Sequence, residues 1–445
     1  MQPRLAIICT LSCAAALTTP SISAYESVDD AREIADHAAA VVEPGVSPPV
    51  RKAAESFDTH FQLAGWLGLI ETEEDVRAIV RKASADVVWS ELTPADFAYL
   101  STMQMFIRLP PELVDAARDR AGELAELPGG DGAIGTFAYT ILSPRHDSTT
   151  DRAHPMIAVL EHEGLSDLLQ TPMAGRLYRS LRSIPEDSAE ELKPLLLQLG
   201  KLIDLDTHAE SAFDVTKYYA GLYDIATADE LEVVRSNLLK YLHAARENVE
   251  RSFQSHIDSA IELMNGVYGQ KRLIDHPAPP LTILWSSDEG LTSLDDLRGK
   301  VVVLDFGATW CGPCIAAFPQ KKQLHERYRG YEVVSIWVTS VQGYHVSGDG
   351  QRISTQGDTE REFELMKEFI AHYELAGPVV FTAENVINHD YGVFGIPHVA
   401  IIDAQGRTRF NGLHPRGGHE TITRHIDTLL TEAGLPVPDS NSRQP

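Results

Sequence analysis

Trp310-Cys311-Gly312-Pro313-Cys314 stands between an apolar run, Lys300-Val301-Val302-Val303-Leu304-Asp305-Phe306, and a helical pattern over Gly312–Tyr328. The run reads as a buried strand, so the two cysteines sit at a strand-to-helix junction. That placement carries chemistry. Helix amide N–H groups and the helix dipole favour negative charge at Cys311 and lower its thiol pKa. Cys314, one turn along, is placed to attack a mixed disulfide within the same chain. Pro313 removes a donor and stiffens the loop, and Gly312 leaves room for a docked chain. A plain structural disulfide is the weaker alternative, because closing so short a loop gains little stability. A zinc site is weaker still, since no second ligand pair at knuckle spacing occurs.

Cysteine usage supports a redox role. The other two cysteines, Cys9 and Cys13, lie in an N-terminal apolar stretch with Arg4 before it and Ser21-Ile22-Ser23-Ala24 after it. This reads as a signal peptide over 1–24, cleaved after Ala24. Exported proteins ordinarily use cysteines as staples, whereas the mature chain would keep a single vicinal pair. An uncleaved anchor and a lipoprotein anchored at Cys13 are alternatives, the latter with a poor lipobox in Thr10-Leu11-Ser12. No later segment approaches the length of a membrane span.

A chain of 445 residues accommodates two or three domains. Its 43% hydrophobic and 23% charged residues exclude wholesale disorder and fibrous classes. With 38 Lys+Arg against 64 Asp+Glu, the net charge of −26 speaks against nucleic-acid binding.

Residues 25–275 read as an all-helical domain of unassigned role without a fixed repeat period. Asp29–Val42, Ala153–Leu169, Met173–Ser183, Ala189–Leu205, Ala212–Ile225 and Thr227–Leu263 carry helical spacing. Thr72 and Thr93-Pro94 read as helix starts, and Glu112–Leu124 as a further helix. Ile274–Pro280 marks a boundary, and a second domain covers 276–435, with a disordered tail over 436–445. In the second domain Tyr331–Val338, Pro378–Phe381, Pro397–Ile402 and Thr408–Asn411 read as strands, Asp358–Tyr373 and His419–Ala433 as helices. Tyr344–Gly357 reads as a surface loop. The fold class expected is α+β multidomain: a helical domain followed by an α/β domain with a central mixed sheet.

The order and spacing of several pieces resemble exported thioredoxin-fold disulfide reductases of the TlpA/ResA type over about 277–433. These are His276-Pro277-Ala278-Pro279, Leu294–Lys300, Val302–Phe306 leading into the cysteine motif, Phe318-Pro319, and Gly395-Ile396-Pro397 before His398–Asp403. The resemblance implies a thioredoxin-like fold and a protein-disulfide reductase acting on disulfide-containing protein substrates outside the cytoplasm, in the periplasm or an equivalent space. Cys311 is then the attacking thiol and Cys314 the resolving one. Asp305 is a buried acid that takes the Cys314 proton. Pro397 is a cis-proline whose neighbour Ile396 offers backbone to an extended substrate, with Trp310, Gly312 and Pro313 framing the groove. Electrons would come from a membrane conduit of the DsbD/CcdA type, with neither cofactor nor metal. Three positions depart from the ResA pattern: Ala317 where glutamate is common, Asp305 where asparagine or similar is usual, and His398 where threonine is commoner. They bear on potential and pH optimum rather than reaction class.

Gly130-Asp131-Gly132-Ala133-Ile134-Gly135 matches a dinucleotide fingerprint but follows a helix rather than a strand, so a loop is expected. Glu161-His162-Glu163 lacks a metalloprotease's second histidine. Two other functions stay open: a disulfide oxidase or isomerase, and a partner-binding helical protein whose second domain is a redox-sensitive dock.

Overall fold

The computed structural model describes residues 45–66, 72–103, 105–143, 155–182, 184, 188–415 and 419–439. The expected signal peptide with Cys9 and Cys13, the expected Asp29–Val42 helix and the last six residues lie outside these. Contacts divide the chain into two compact units between Met264 and Asn265.

The described residues of the first unit form helices joined by turns, with no strand among them, as the helical spacing implied. Its helices are α1 (Pro48–Trp66), α2 (Glu73–Ala83), α3 (Pro94–Thr102), α4 (Pro111–Ala125), α5 (Gly129–Leu142) and α6 (Met156–Leu160). They continue with α7 (Leu165–Leu169), α8 (Met173–Ser180), α9 (Ala189–Leu202), α10 (Val215–Tyr223), α11 (Ala228–Asn248) and α12 (Arg251–Asn265). Thr72, Thr93 and Thr227 each close a capping box, the last with Glu230. Each box satisfies two amide donors that a helix start leaves open.

Three expectations need correction here. The glycine-rich segment Gly130–Gly135 is not a loop but lies in α5, and its glycines let α5 approach the preceding backbone closely. A Cβ on Gly132 would stand 1.9 Å from the Leu127 carbonyl oxygen, and one on Gly135 2.5 Å from the Ala125 nitrogen. The Ala153–Leu169 helix is two short helices. Between them His162 Nδ1 lies 3.0 Å from the Gly164 amide, and a Cβ on Gly164 would meet the Gly129 carbonyl at 2.0 Å. Thr227–Leu263 is likewise two helices, because Val249 is extended and turns its side chain inward.

The second unit has a six-stranded mixed sheet in the order β1-β6-β3-β2-β7-β8. These strands are β1 (Ile283–Ser286), β2 (Val301–Phe306), β3 (Val333–Ser340), β6 (Val379–Thr382), β7 (His398–Ile402) and β8 (Thr408–Leu413). β2 is buried along its whole length, parallel to β3 and antiparallel to β7. A strand with no exposed face must read as a continuous apolar run, which is why it was legible. Helices α13 (Gly312–Ile315), α14 (Phe318–Arg327), α15 (Thr359–Tyr373) and α16 (His419–Glu432) complete the unit. On one sheet face Val301, Val303, Val399 and Ile401 pack with Leu324 of α14 and with Ile426 and Leu430 of α16. On the other, Phe306 meets the rings of Tyr391 and His398, and the Tyr391 hydroxyl donates to the Pro279 carbonyl at 2.7 Å.

Two more corrections fall in this unit. The helix expected over Gly312–Tyr328 is interrupted at Ala316 and Ala317, giving α13 and α14. The loop expected over Tyr344–Gly357 contains a β-hairpin, β4 (Tyr344–Val346) against β5 (Arg352–Ser354).

The glycine contacts give a test. Gly132→Leu forces a side chain into backbone and should cost about 3 kcal/mol, the upper range for overpacking. In Gly122→Ala the new Cβ meets only the Tyr139 ring at 3.5 Å. This variant should be neutral or gain up to about 1 kcal/mol, because alanine suits a helix interior better. Urea unfolding of both variants checks the contrast, and equal effects would refute the close-approach account.

Candidate functional site

The sheet delivers the cysteine motif. β2 ends at Phe306, Gly307 and Ala308 turn the chain, and Cys311 caps α13. A Cβ on Gly307 would lie 2.2 Å from Trp337 Nε1, so this turn takes no larger residue without moving the indole. Cys311 and Cys314 are joined as a disulfide with their Cα atoms 5.2 Å apart. The Cys314 amide donates to Cys311 Sγ at 3.2 Å. In the reduced protein the same amide is placed to stabilise a Cys311 thiolate, although the break at Ala316 leaves a single helical turn behind it. Both cysteines are buried, Cys311 retaining 3% of its surface and Cys314 none. Ala308 is buried against the two cysteines, and Trp310 and Ile396 pack partly buried against them. Gly312 and Pro313 form the first turn of α13 between them.

The peptide Ile396–Pro397 is cis. The structure therefore brings Trp310, Cys311, Cys314 and Ile396 together, with Pro397 next in the chain. His398, next again, is buried, and its Nε2 lies 2.9 Å from Asn411 Oδ1.

Asp305 is buried, as its apolar flanks implied. It is not a lone acid, however: Lys321 Nζ of α14 lies 2.7 Å from Asp305 Oδ2. Burial pushes the Asp305 carboxyl up, and the Lys321 ammonium offsets part of that rise; burial pushes Lys321 down. The ammonium also lies 5.1 Å from the Phe318 ring centre and 5.3 Å from that of Trp337. Among the described residues Asp305 Oδ1 has no hydrogen-bond partner, which leaves one oxygen available for a proton. Lys321 was missed from sequence. Its one signal is spacing: it falls three residues after Phe318 and three before Leu324, both buried on α14.

A second set of missed residues borders the motif. Trp310 Nε1 donates to Gln342 Oε1 at 3.2 Å, and the Val346 amide of β4 donates to Thr309 Oγ1 at 3.1 Å. Among the described residues no group of three or more His, Cys, Asp or Glu side chains could hold a metal ion.

Residues 274–426, within the second unit, match the Redoxin family model. The chain is 30% identical over 130 residues to the thioredoxin-like protein YneN of Bacillus subtilis, covering 29% of this chain and 65% of that protein. It is 28% identical over 116 residues to the thiol-disulfide oxidoreductase ResA of Bacillus thuringiensis, covering 26% and 55%. It thus spans between 55% and 65% of the length of these relatives. A putative thiol:disulfide interchange protein DsbE from Chlorobium tepidum aligns with 35% of this chain and 95% of its own, at 24% identity and a TM-score of 0.26. The ResA-like resemblance and the expected fold class both stand.

The ion pair makes a prediction. Lys321→Met removes the charge that lowers the Asp305 pKa, so that pKa should rise further. Because a raised carboxyl binds its proton more tightly in the folded state, stability falls as pH climbs from the ordinary carboxylate value to the folded one. The variant should extend that fall to higher pH and lose about 3–5 kcal/mol at neutral pH, as when one partner of a buried pair is removed. Carboxyl NMR titration of Asp305 checks it, and a lowered pKa would refute the assignment.

Proposed function

We propose that this chain is an exported thiol–disulfide oxidoreductase that reduces protein disulfides through Cys311 and Cys314. The observation that carries the reading is the Cys311–Cys314 disulfide at the start of α13, with Cys311 at its N-cap and the cis Ile396–Pro397 peptide beside it. The relatives named above, one of them called a thiol-disulfide oxidoreductase, support the same reaction class.

In the reducing direction the Cys311 thiolate attacks one sulfur of a client disulfide. A Cys311–client bond forms, the client bond breaks, and the departing client thiolate takes a proton. Cys314 then loses its proton to Asp305 and attacks the Cys311 sulfur. The intramolecular disulfide forms and the second client thiolate leaves. The client gains two electrons and the protein loses two. Asp305 suits the proton step because its desolvated carboxyl binds a proton more readily than an exposed one. Trp310, Gly312, Pro313, Ile396 and Pro397 frame the docked chain. Regeneration needs two electrons from outside, from a membrane donor of the DsbD/CcdA type by resemblance. Export rests on the 1–24 signal sequence; among the described residues no helix is long and apolar enough to cross a membrane. Domains at 25–275 and 276–435 separate an unassigned helical part from the redox part.

Cys314→Ser should accumulate a covalent client adduct visible by intact mass, and Cys311→Ser should give none. If the helical part alone carries function as a binder, Cys311→Ser keeps its partner and phenotype. Asp305→Asn should slow resolution at neutral pH by about 100-fold, the lower range for a lost general base. Equilibration with glutathione gives the direction: a potential near about −270 mV fits a reductase, and one near about −120 mV an oxidase.

A further inference from the structure

The hairpin of β4 and β5 is built into the site rather than draped over it. At its base the buried Glu362 accepts from the Gln342 amide at 2.9 Å, the Gly343 amide at 3.1 Å and the Thr355 hydroxyl at 2.7 Å. One carboxylate therefore holds both ends of the insertion. At its tip the Tyr373 hydroxyl of α15 donates to the Gly348 carbonyl at 3.3 Å. Between the two, His345 is buried with its ring edge-on to Phe369, 5.6 Å between centres. Burial, with Arg361 nearby, pushes that imidazole down to about 4, so it stays neutral and docked at ordinary pH.

The pairing fixes what the hairpin shows on its other side. His345 pairs with Ile353, so Tyr344 with Ser354 and Val346 with Arg352 point away from the core. Arg352 is exposed, and its guanidinium lies 3.8 Å from the centre of the Tyr344 ring. Among the described residues no carboxylate pairs with it, in a chain carrying 64 Asp+Glu against 38 Lys+Arg. A guanidinium stacked on an aromatic ring is held in one plane and keeps its donors for a carboxylate. The same hairpin is bonded to Thr309 and, through Gln342, to the Trp310 indole, directly before Cys311.

Resting on the thiol–disulfide reading above, we propose that this outward face is a client-recognition wall, and that its client carries a carboxylate close to the reactive disulfide, received by Arg352.

The test uses the full chain, reduced, and three peptides that each hold one internal disulfide and differ only in a Glu, Gln or Lys beside it. Oxidation of the protein by each is followed by stopped-flow tryptophan fluorescence. Wild type should react with the Glu peptide about fivefold faster than with the Gln peptide, the effect of one exposed charge pair. In R352E that ratio should fall below one and the Lys peptide should become the fastest. Added salt should compress the differences. Equal wild-type rates, or a wild type fastest on Lys as its overall acidity alone would give, overturns the inference and leaves the redox reading intact. Failure of the protein to be oxidised by any peptide or by neutral hydroxyethyl disulfide overturns both.

Discussion

A carboxyl group inside a strand buried from end to end has no water to turn to, so it needs a counter-charge or a proton. Asp305 is that group, and Lys321 is its counter-charge. The pair also ties together the two elements that flank the motif. Asp305 lies six residues before Cys311 on β2, and Lys321 seven after Cys314 on α14. The chain between them, which includes both cysteines, is therefore gripped at each end by one desolvated contact. Breaking that contact would loosen the strand-to-helix junction as well as change a pKa.

The surroundings of the pair follow from its burial. Trp337 is in register with Asp305 on the neighbouring strand and stacks on Phe369, while Phe318 stands edge-on to Trp337. Phe318 and Trp337 present their faces to the Lys321 ammonium, the arrangement a desolvated cation favours. Gly307 keeps the turn after β2 close to the Trp337 indole. Small and large residues are thus complementary here, and an exchange at either position would move the other.

What the sequence could show follows the same physics. β2 was legible because burial on both faces demands an unbroken apolar run, and the cysteine pair because its spacing is tied to reactivity. Thr72 and Thr93 were legible because a cap is local. Lys321 was not: Gln320, Lys321 and Lys322 look alike along the chain, and only the phase of Phe318 and Leu324 says which one turns inward. Glu362 was hidden for a related reason, since a buried carboxylate that accepts from backbone amides looks in sequence like any acid on a helix. The glycines of α5 misled because a loop and a close helix contact both call for glycine, and only the neighbouring backbone tells them apart.

Chemistry and recognition have different polar anchors in the second unit. The thiol pair depends on β2, α13 and the Asp305–Lys321 contact. The hairpin depends on Glu362 at its base and on His345 against Phe369, whose ring stacks on Trp337 beside the Asp305–Lys321 pair. Two hydrogen bonds also tie the hairpin to Thr309 and Trp310, one from a backbone amide and one to Gln342. The outward residues Tyr344, Arg352 and Ser354 take no part in either anchor. Their identity can change without disturbing the thiols, whereas a change at Glu362 releases both ends of the hairpin and, through Gln342, the partner of the Trp310 indole.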